Sequence, residues 1–219
     1  MSPPVLPLAI SLVLASAAAA PALTLSSDDL TPGAPMPKAQ IYPRCGGQNV
    51  SPSLAWRGAP TGTKSFVLTM VDLDVQPALW SHWVVADLPP SATFLPRGLK
   101  TLPGDARGVV SDFGDAAYDG PCPPPGTGVH HYQITLWAMS TATVSITPDQ
   151  PADELLAKLT ASALAHASLT TTAAARDWQS PAGMRKAQRM HLRLTTTRSH
   201  GLPGPGEEPP RRVFEIVDR

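Results

Sequence analysis

Residues 65–71 read SFVLTMV, a run of apolar and β-branched side chains that is typical of a central β-strand. Asp72 follows directly at the C-terminal end of this run. A second apolar run, residues 82–88, begins with His82 and is closed by two prolines, which cannot donate to a β-ladder. An acid thus ends one predicted strand and an imidazole begins the next, at one rim of a sheet.

A third strand is predicted from the alternation of apolar and polar residues over residues 131–140. The same period of two places His130 and Tyr132 on one face of it. Residues 120–126, GPCPPPG, precede this strand and are typical of an irregular loop. Together the rims of these strands predict a small polar pocket that binds an anion.

The rest of the chain predicts a β-rich fold with one helix. Residues 23–49 indicate an edge strand plus loops, and residues 93–128 indicate mostly irregular surface chain. An apolar stripe with acids in its first turn predicts a helix from about Pro151 to about His166. The 26 prolines among 219 residues also favour short strands over long helices.

Charge and composition limit the classes of partner. The 17 basic and 17 acidic side chains cancel, which removes the electrostatic footprint of a nonspecific nucleic-acid-binding protein. A small-molecule or protein partner is therefore favoured. The 42% hydrophobic content suits a single domain with a substantial core, which we place at residues 23–175.

The two ends of the chain are set apart from this domain. Residues 5–20 form an apolar run followed by Ala20-Pro21-Ala22, so residues 1–22 are interpreted as a signal peptide, although no basic residue precedes the run. We expect export to the periplasm or medium, with no integral membrane segment after its removal. Residues 176–219 lose all pattern and are interpreted as a disordered tail.

Two cysteines, Cys45 and Cys122, are the only ones in the chain. An oxidising compartment permits a disulfide between them, and the alternative is two unconnected small apolar side chains. We expect the bridge. Two cysteines without close partner spacing do not make a zinc site by themselves.

Several motifs in a fixed order resemble the phosphatidylethanolamine-binding protein family, and most closely its bacterial Raf kinase inhibitor-like branch. The resemblance extends from about Leu23 to Leu169, with Leu73 standing where the family usually has a proline. It is carried by Ser51-Pro52-x-Leu54-x-Trp56, Asp72-x-Asp74, His82-Trp83-Val84-Val85, Asp112-Phe113-Gly114, Tyr118-x-Gly120-Pro121-Cys122-Pro123-Pro124 and His130-x-Tyr132.

The resemblance implies a mainly β fold, an antiparallel β-sandwich with a C-terminal helix, and a conserved anion pocket. The ligand would be phosphate or a phospholipid headgroup. The residues that match the family's pocket are Asp72, Asp74, Pro77, Trp80, His82, Gly120, Pro121, His130 and Tyr132.

Each group has an expected task in holding a phosphate. Both histidines and the Tyr132 hydroxyl are expected to donate hydrogen bonds, and the backbone around Gly120 is expected to add N–H donors. Asp72 is expected to orient His82 and raise its proton affinity, and Asp74 to accept a hydrogen bond from a ligand amine.

Three alternatives remain open at this point. In the first, Asp72 and His82 act together as the general base of a weak hydrolase, on water or on Ser81. The sequence has no motif of a known hydrolase or nucleotide-binding site, and we expect no cofactor. Asp72, Asp74, His82 and His130 are suitable ligands for a metal ion. The branch name suggests a third function, inhibition of a kinase or protease partner. We favour binding over catalysis.

Overall fold

Two antiparallel β-sheets and one α-helix form the part of the chain that the computed structural model describes, residues 22–148 and 150–175. The smaller sheet has the strand order β1-β2-β5, and the larger has the order β6-β4-β3-β7-β8. This confirms the predicted β-sandwich. The elements are β1 (Thr24–Ser26), a 3-10 turn (Pro43–Cys45), β2 (Leu54–Arg57), β3 (Ser65–Asp72), β4 (Trp80–Leu88), β5 (Phe94–Leu95), β6 (Arg107–Val109), β7 (Val129–Met139), α1 (Ala152–Ser162) and β8 (Ala163–Ala174).

Strand β3 is the centre of the larger sheet and is buried at every residue. Successive side chains of a strand point to opposite faces, and here both faces are covered. Phe66, Leu68 and Met70 face the core between the sheets, whereas Val67 lies in a second core with Leu155 and other side chains of α1. Burial on both faces explains why residues 65–71 are almost continuously apolar.

The register of the larger sheet brings the predicted rim residues together. Asp72 pairs with Trp80 on β4 and with Tyr132 on β7, so the C-terminal end of β3 lies between the starts of its two neighbours. Residues 65–71, 82–88 and 131–139 are thus confirmed as adjacent strands. The edge strand expected within residues 23–49 is β1.

The end of the helix was predicted wrongly. Helix α1 ends at Ser162 because Ala163 takes an extended conformation, with φ −75° and ψ 142°, and starts β8. Strand β8 pairs with β7 along its length and continues to Ala174, beyond Leu169, where the family resemblance ends. Residues 33–36 cover its other edge, with Met36 N–H donating to the Thr172 carbonyl at 2.7 Å.

A disulfide joins the 3-10 turn to the loop that precedes β7. Cys45 and Cys122 are bonded, with Cα atoms 5.5 Å apart, which confirms the expected bridge. It closes a loop across a sequence separation of 77 residues.

The predicted terminal segments lie largely beyond this structure. Residues 1–21, which hold nearly all of the predicted signal peptide, and the predicted tail at residues 176–219 lie outside the described residues. Within the described ranges, no helix combines the length and apolar character needed to span a bilayer.

Candidate anion-binding site

A buried ion pair lies where β3 ends and β7 begins. The Asp72 Oδ2 atom is 2.7 Å from Nδ1 of His130, and the two side chains are only 3% and 4% exposed. The other carboxylate oxygen of Asp72 accepts the Asp74 backbone N–H at 2.9 Å. Both oxygens are therefore occupied within the protein.

The hydrogen bonds of His130 favour a charged imidazolium. Its Nδ1 faces a carboxylate, and its Nε2 lies 2.8 Å from Oγ1 of Thr127. The Thr127 hydroxyl donates its one proton to the Pro124 carbonyl at 2.7 Å, so it can only accept from Nε2. Both ring nitrogens must then carry protons. The hydrogen bond to Asp72 accordingly raises the pKa of His130, against the opposing effect of burial.

His82 is held in a different state. Its Nδ1 is 2.9 Å from the carbonyl oxygen of Asp119, which can only accept, so Nδ1 carries the proton. Burial lowers the pKa of His82 and outweighs the opposing charge of Asp72. The neutral ring is therefore a tautomer with a lone pair on Nε2.

Aromatic rings enclose His82 on two sides. The Phe113 and Tyr132 rings have centroids 4.7 and 5.1 Å from that of the imidazole. The Tyr132 ring also stacks on His130, with centroids 6.5 Å apart. The name "His82 cluster" is used below for Asp72, His82, Phe113, His130 and Tyr132.

The Tyr132 hydroxyl is buried beside the Asp72 carboxylate and makes no hydrogen bond of ordinary geometry within the described residues. Burial, reinforced by the charge of Asp72, raises the pKa of Tyr132 far above its ordinary value, so the hydroxyl keeps its proton. The Asp72 oxygens are already bonded to His130 and Asp74. The acceptor nearest to this protonated donor, Asp72, is thus already shared by two other groups.

A β-bulge turns His82 toward this cluster. Val71 pairs with Ser81, but Met70 pairs with Trp83, so His82 is the extra residue of β4 at that point. Bulges of this kind redirect a side chain next to functional sites. Ser81 is buried and bonded to Asp112, with the hydroxyl 2.9 Å from the carboxylate.

Asn49 holds the loop that fixes the tautomer of His82. Its side chain donates to the Tyr118 carbonyl and to the Asp119 carboxylate, both at 3.1 Å, and accepts the Gly120 N–H at 2.7 Å. Its φ of +54° is left-handed, a conformation that asparagine tolerates better than most residues. A Cβ at Gly120 would lie 1.9 Å from the Gln40 carbonyl oxygen, so only glycine fits there.

The structure brings most of the predicted site residues together and leaves two of them apart. Asp72, His82, His130 and Tyr132 meet in the His82 cluster, and Gly120 follows the carbonyl that binds His82. Trp80 lies next to Phe113, with ring centroids 6.2 Å apart, and the Pro121 carbonyl accepts from Tyr42 N–H at 3.1 Å. Two residues are turned away: Pro77, which follows a cis peptide bond, is exposed, and Asp74 pairs with Nδ1 of His131 at 3.0 Å.

Three expected roles were wrong. Asp72 orients His130 rather than His82, whose Nδ1 is bonded to the Asp119 carbonyl, although the charge of Asp72 does favour protonation of His82 as expected. His130 has no ring nitrogen left for a ligand, because Thr127 takes the second one. The Gly120 N–H is not a ligand donor because it is bonded to Asn49.

This geometry gives little support to the catalytic and metal-binding alternatives. The Ser81 hydroxyl is bonded to Asp112 and not to His82, so the arrangement of nucleophile and base is not formed. Among residues 22–148 and 150–175, no three His, Cys, Asp or Glu side chains are grouped so that they could hold a metal ion.

Comparison with known proteins identifies the family. The family described as phosphatidylethanolamine-binding protein matches residues 26–174. The chain belongs to this family. It is 37% identical over 150 residues to protein YbcL of Escherichia coli (strain K12), covering 64% of this chain and 82% of YbcL. It is also 35% identical over 142 residues to the putative lipoprotein LppC of Mycobacterium tuberculosis (strain H37Rv), covering 64% of this chain and 68% of LppC.

Solved structures of bacterial phosphatidylethanolamine-binding proteins have the same fold. The crystal structure of E. coli YbcL, described as a new member of the mammalian family, superposes with a TM-score of 0.63 at 32% identity, covering 68% of this chain and 96% of that one. A homologue from Chlamydia trachomatis gives 0.58 at 30% identity, covering 70% and 97%. Within the family, the chain lies in the bacterial branch that includes YbcL.

Proposed function

We propose that this protein is a non-enzymatic binding protein whose His82 cluster takes the phosphate group of a small phosphorylated ligand. The observation that carries the proposal is the buried hydroxyl of Tyr132 beside the fixed ring of His82. The acceptor nearest to this hydroxyl, Asp72, is already bonded to His130 and to the Asp74 N–H. A buried polar group without a partner costs about 1–3 kcal/mol. Such a group in a native structure calls for a partner, and in this proposal a ligand oxygen supplies it.

The charges of the cluster are arranged to receive an anion without large reorganisation. The Asp72 carboxylate is balanced by the His130 imidazolium, so a phosphate does not face an uncompensated negative charge. The Tyr132 hydroxyl is a ready donor. Membership of the phosphatidylethanolamine-binding protein family supports a phosphate-containing ligand, which includes a lipid headgroup.

The same contacts favour binding over catalysis. Both members of the Asp72–His130 pair are fully bonded within the protein, so neither is free to move a proton to a substrate. The hydroxyl nearest His82 in sequence, that of Ser81, is bonded to Asp112. Hydrolysis through Ser81 would require its hydroxyl to be bonded to a base such as His82, and it is not.

Export is part of the proposal. The Cys45–Cys122 disulfide is stable in an oxidising compartment, and one relative, LppC, is called a putative lipoprotein. Both support the interpretation of residues 1–22 as a signal peptide and a location in the periplasm or medium. The mass of the protein recovered from the periplasm tests this: we expect loss of residues 1–22, and an intact N-terminus in the cytoplasm contradicts it.

Calorimetric titration of the purified protein with inorganic phosphate and with phosphoethanolamine tests the proposed function. We expect one site per chain, lost in His82→Ala and weakened about tenfold in Tyr132→Phe, which corresponds to one hydrogen bond of about 1.4 kcal/mol. His166→Ala is the matched control, because His166 is exposed and its ring contacts that of Trp137 at a tilted angle, away from the cluster. Wild-type protein that binds neither compound, or His82→Ala that binds like wild type, contradicts the proposal.

A further inference from the structure

A cavity of about 180 Å³ has a lining that shares no residue with the His82 cluster. The buried rings of Trp83 and Tyr118 form its inner end, where they meet edge to face with centroids 5.4 Å apart. Its walls come from residues 99–102 and 116–117. Lys100 and residues 116–117 are exposed, so the cavity opens to solvent beside them. It therefore leads from solvent to two buried aromatic side chains.

The surface of this cavity is largely apolar. Leu99 and Leu102 line it and also pack against the core between the sheets. The Tyr118 hydroxyl donates to the Gln40 carbonyl at 2.8 Å, so Tyr118 offers the cavity its ring rather than its hydroxyl. An apolar cavity of about 150 Å³ is large enough to hold benzene. The space therefore suits a ligand whose apolar body is about the size of one ring.

The indole N–H of Trp83 is a donor without an acceptor. It makes no hydrogen bond to any described residue, and it is not sealed in the core as the indole nitrogen of Trp56 is. Only 3% of Trp83 is exposed, and the cavity is the open space that this residue lines. The N–H is therefore presented to the cavity, where a ligand oxygen can accept from it.

Two further groups add a donor and a positive charge. The Ser51 hydroxyl accepts the Leu99 N–H at 2.9 Å, which leaves its own proton for another acceptor. Lys100 is the one charged side chain among the described residues that line the cavity, and it forms no ion pair with any of the described residues. The neighbouring Asp115 carboxylate is turned to its own loop, where it accepts the Ala117 N–H at 2.8 Å. The cavity thus favours an anion over a cation.

We infer that this cavity is a second binding site, which takes a small organic carboxylate with an apolar body. A carboxylate oxygen accepts from the Trp83 N–H, and the long side chain of Lys100 supplies the opposite charge from the opening of the cavity. The apolar body lies against Leu99, Leu102 and the Tyr118 ring. This site is separate from the proposed phosphate site and does not depend on it.

Phenylacetate and phenylacetamide test the inference, because they have the same ring and nearly the same shape but only the first is an anion. NMR titration of the Trp83 indole N–H follows binding at the site itself, and Trp83→Phe assigns this signal by removing it. We expect one saturable phenylacetate site with a Kd below about 1 mM, a modest affinity for about ten non-hydrogen atoms. The Kd of phenylacetamide should be at least about five times higher, because the amide has no charge for Lys100.

Two variants check which groups hold the carboxylate. Lys100→Met keeps most of the apolar stem and removes the charge, so we expect phenylacetate to bind about fivefold more weakly. Lys64→Met is the matched control, because Lys64 is also exposed but does not line the cavity. Trp83→Phe should weaken binding about tenfold by calorimetry, through the loss of one hydrogen bond, and its unfolding midpoint verifies that it folds.

Competition with inorganic phosphate separates this site from the His82 cluster. Phosphate has no apolar body, so excess phosphate should leave the Kd of phenylacetate within about twofold of its value without phosphate. Displacement of phenylacetate by phosphate would place the carboxylate in the His82 cluster and overturn the inference. It is also overturned if millimolar phenylacetate does not shift the Trp83 signal, if phenylacetamide binds equally well, or if Lys100→Met binds phenylacetate like wild type.

Discussion

Replacing Tyr132 by phenylalanine is expected to stabilise the free protein while weakening its ligand binding. The Tyr132 hydroxyl is buried and has no well-formed hydrogen bond among the described residues, because the nearby Asp72 carboxylate is already bonded to His130 and to the Asp74 N–H. Phenylalanine keeps the ring, with its contacts to His82 and His130, and removes only the unsatisfied oxygen. Most substitutions of buried residues destabilise a protein, so a gain in stability is a specific expectation.

The expected size follows from the cost of burying an unpaired hydroxyl, about 1–3 kcal/mol. Part of this is offset by the small void that the missing oxygen leaves. We therefore expect a gain of about 1 kcal/mol, or roughly 2–4 °C in Tm for a chain of this size. Tyr118→Phe is the matched control, because the Tyr118 hydroxyl is also buried but donates to the Gln40 carbonyl at 2.8 Å. Its loss orphans that carbonyl and should cost about 1–3 kcal/mol.

Urea unfolding of wild type and the two variants, without phosphate, shows whether each substitution raises or lowers the free energy of unfolding. Repeating it with saturating phosphate should raise the midpoint of wild type more than that of Tyr132→Phe. A loss of more than about 1 kcal/mol in Tyr132→Phe without ligand would show that the hydroxyl has a partner, since such losses are typical of a broken hydrogen bond. Equal stabilisation of both proteins by phosphate would refute the role of the hydroxyl in binding.

Three further predictions concern the groups around the cluster. Because the pKa of His130 is raised in the folded protein, the stability contributed by its pair with Asp72 is fully present below the unfolded pKa of about 6.5 and is lost as pH rises through the folded pKa. The difference in unfolding free energy between wild type and His130→Asn should therefore shrink from pH 6 to pH 9. A difference that stays constant with pH argues against the ion pair. Reducing the Cys45–Cys122 bridge, which spans 77 residues, should cost about 4.5 kcal/mol; two alkylatable thiols in unreduced protein would show that no bridge exists. Asn49→Gly keeps the left-handed backbone without strain and removes three hydrogen bonds, so it should lower the free energy of unfolding by about 2–3 kcal/mol. A decrease below about 0.5 kcal/mol in urea unfolding would contradict the role of Asn49 in holding loop 118–122.

The strands of the larger sheet were predictable where large apolar residues dominate. Residues 65–71 and the alternating residues 131–139 identify β3 and β7 because burial demands these side chains. Strand β8 was missed because its buried positions include Thr171 and Ala173, which are too small and too polar to make a visible period. Its pairing with β7 and with residues 33–36 forms a strand there despite the weak pattern.

The residues of the site were easier to predict than their partners. Asp72, His82, His130 and Tyr132 occur at strand ends that a sheet brings together. Which histidine Asp72 binds depends on a bulge at His82 and on the position of loop 118–122, and neither has a local signal in the sequence. Asn49 and Thr127 were not singled out for the same reason: their roles arise from contacts with residues that are distant in sequence or from loop geometry.

The central claim is that phosphate binds at His82, and the ¹⁵N NMR signals of the histidine rings report on this most directly. In free protein at neutral pH we expect His82 to be protonated on Nδ1 alone and His130 on both nitrogens. Adding phosphate should shift the Nε2 signal of His82 until one phosphate is bound, while the signals of His166 stay unchanged. His82 signals that do not move at saturating phosphate, or a free His82 protonated on Nε2 alone, would contradict the account.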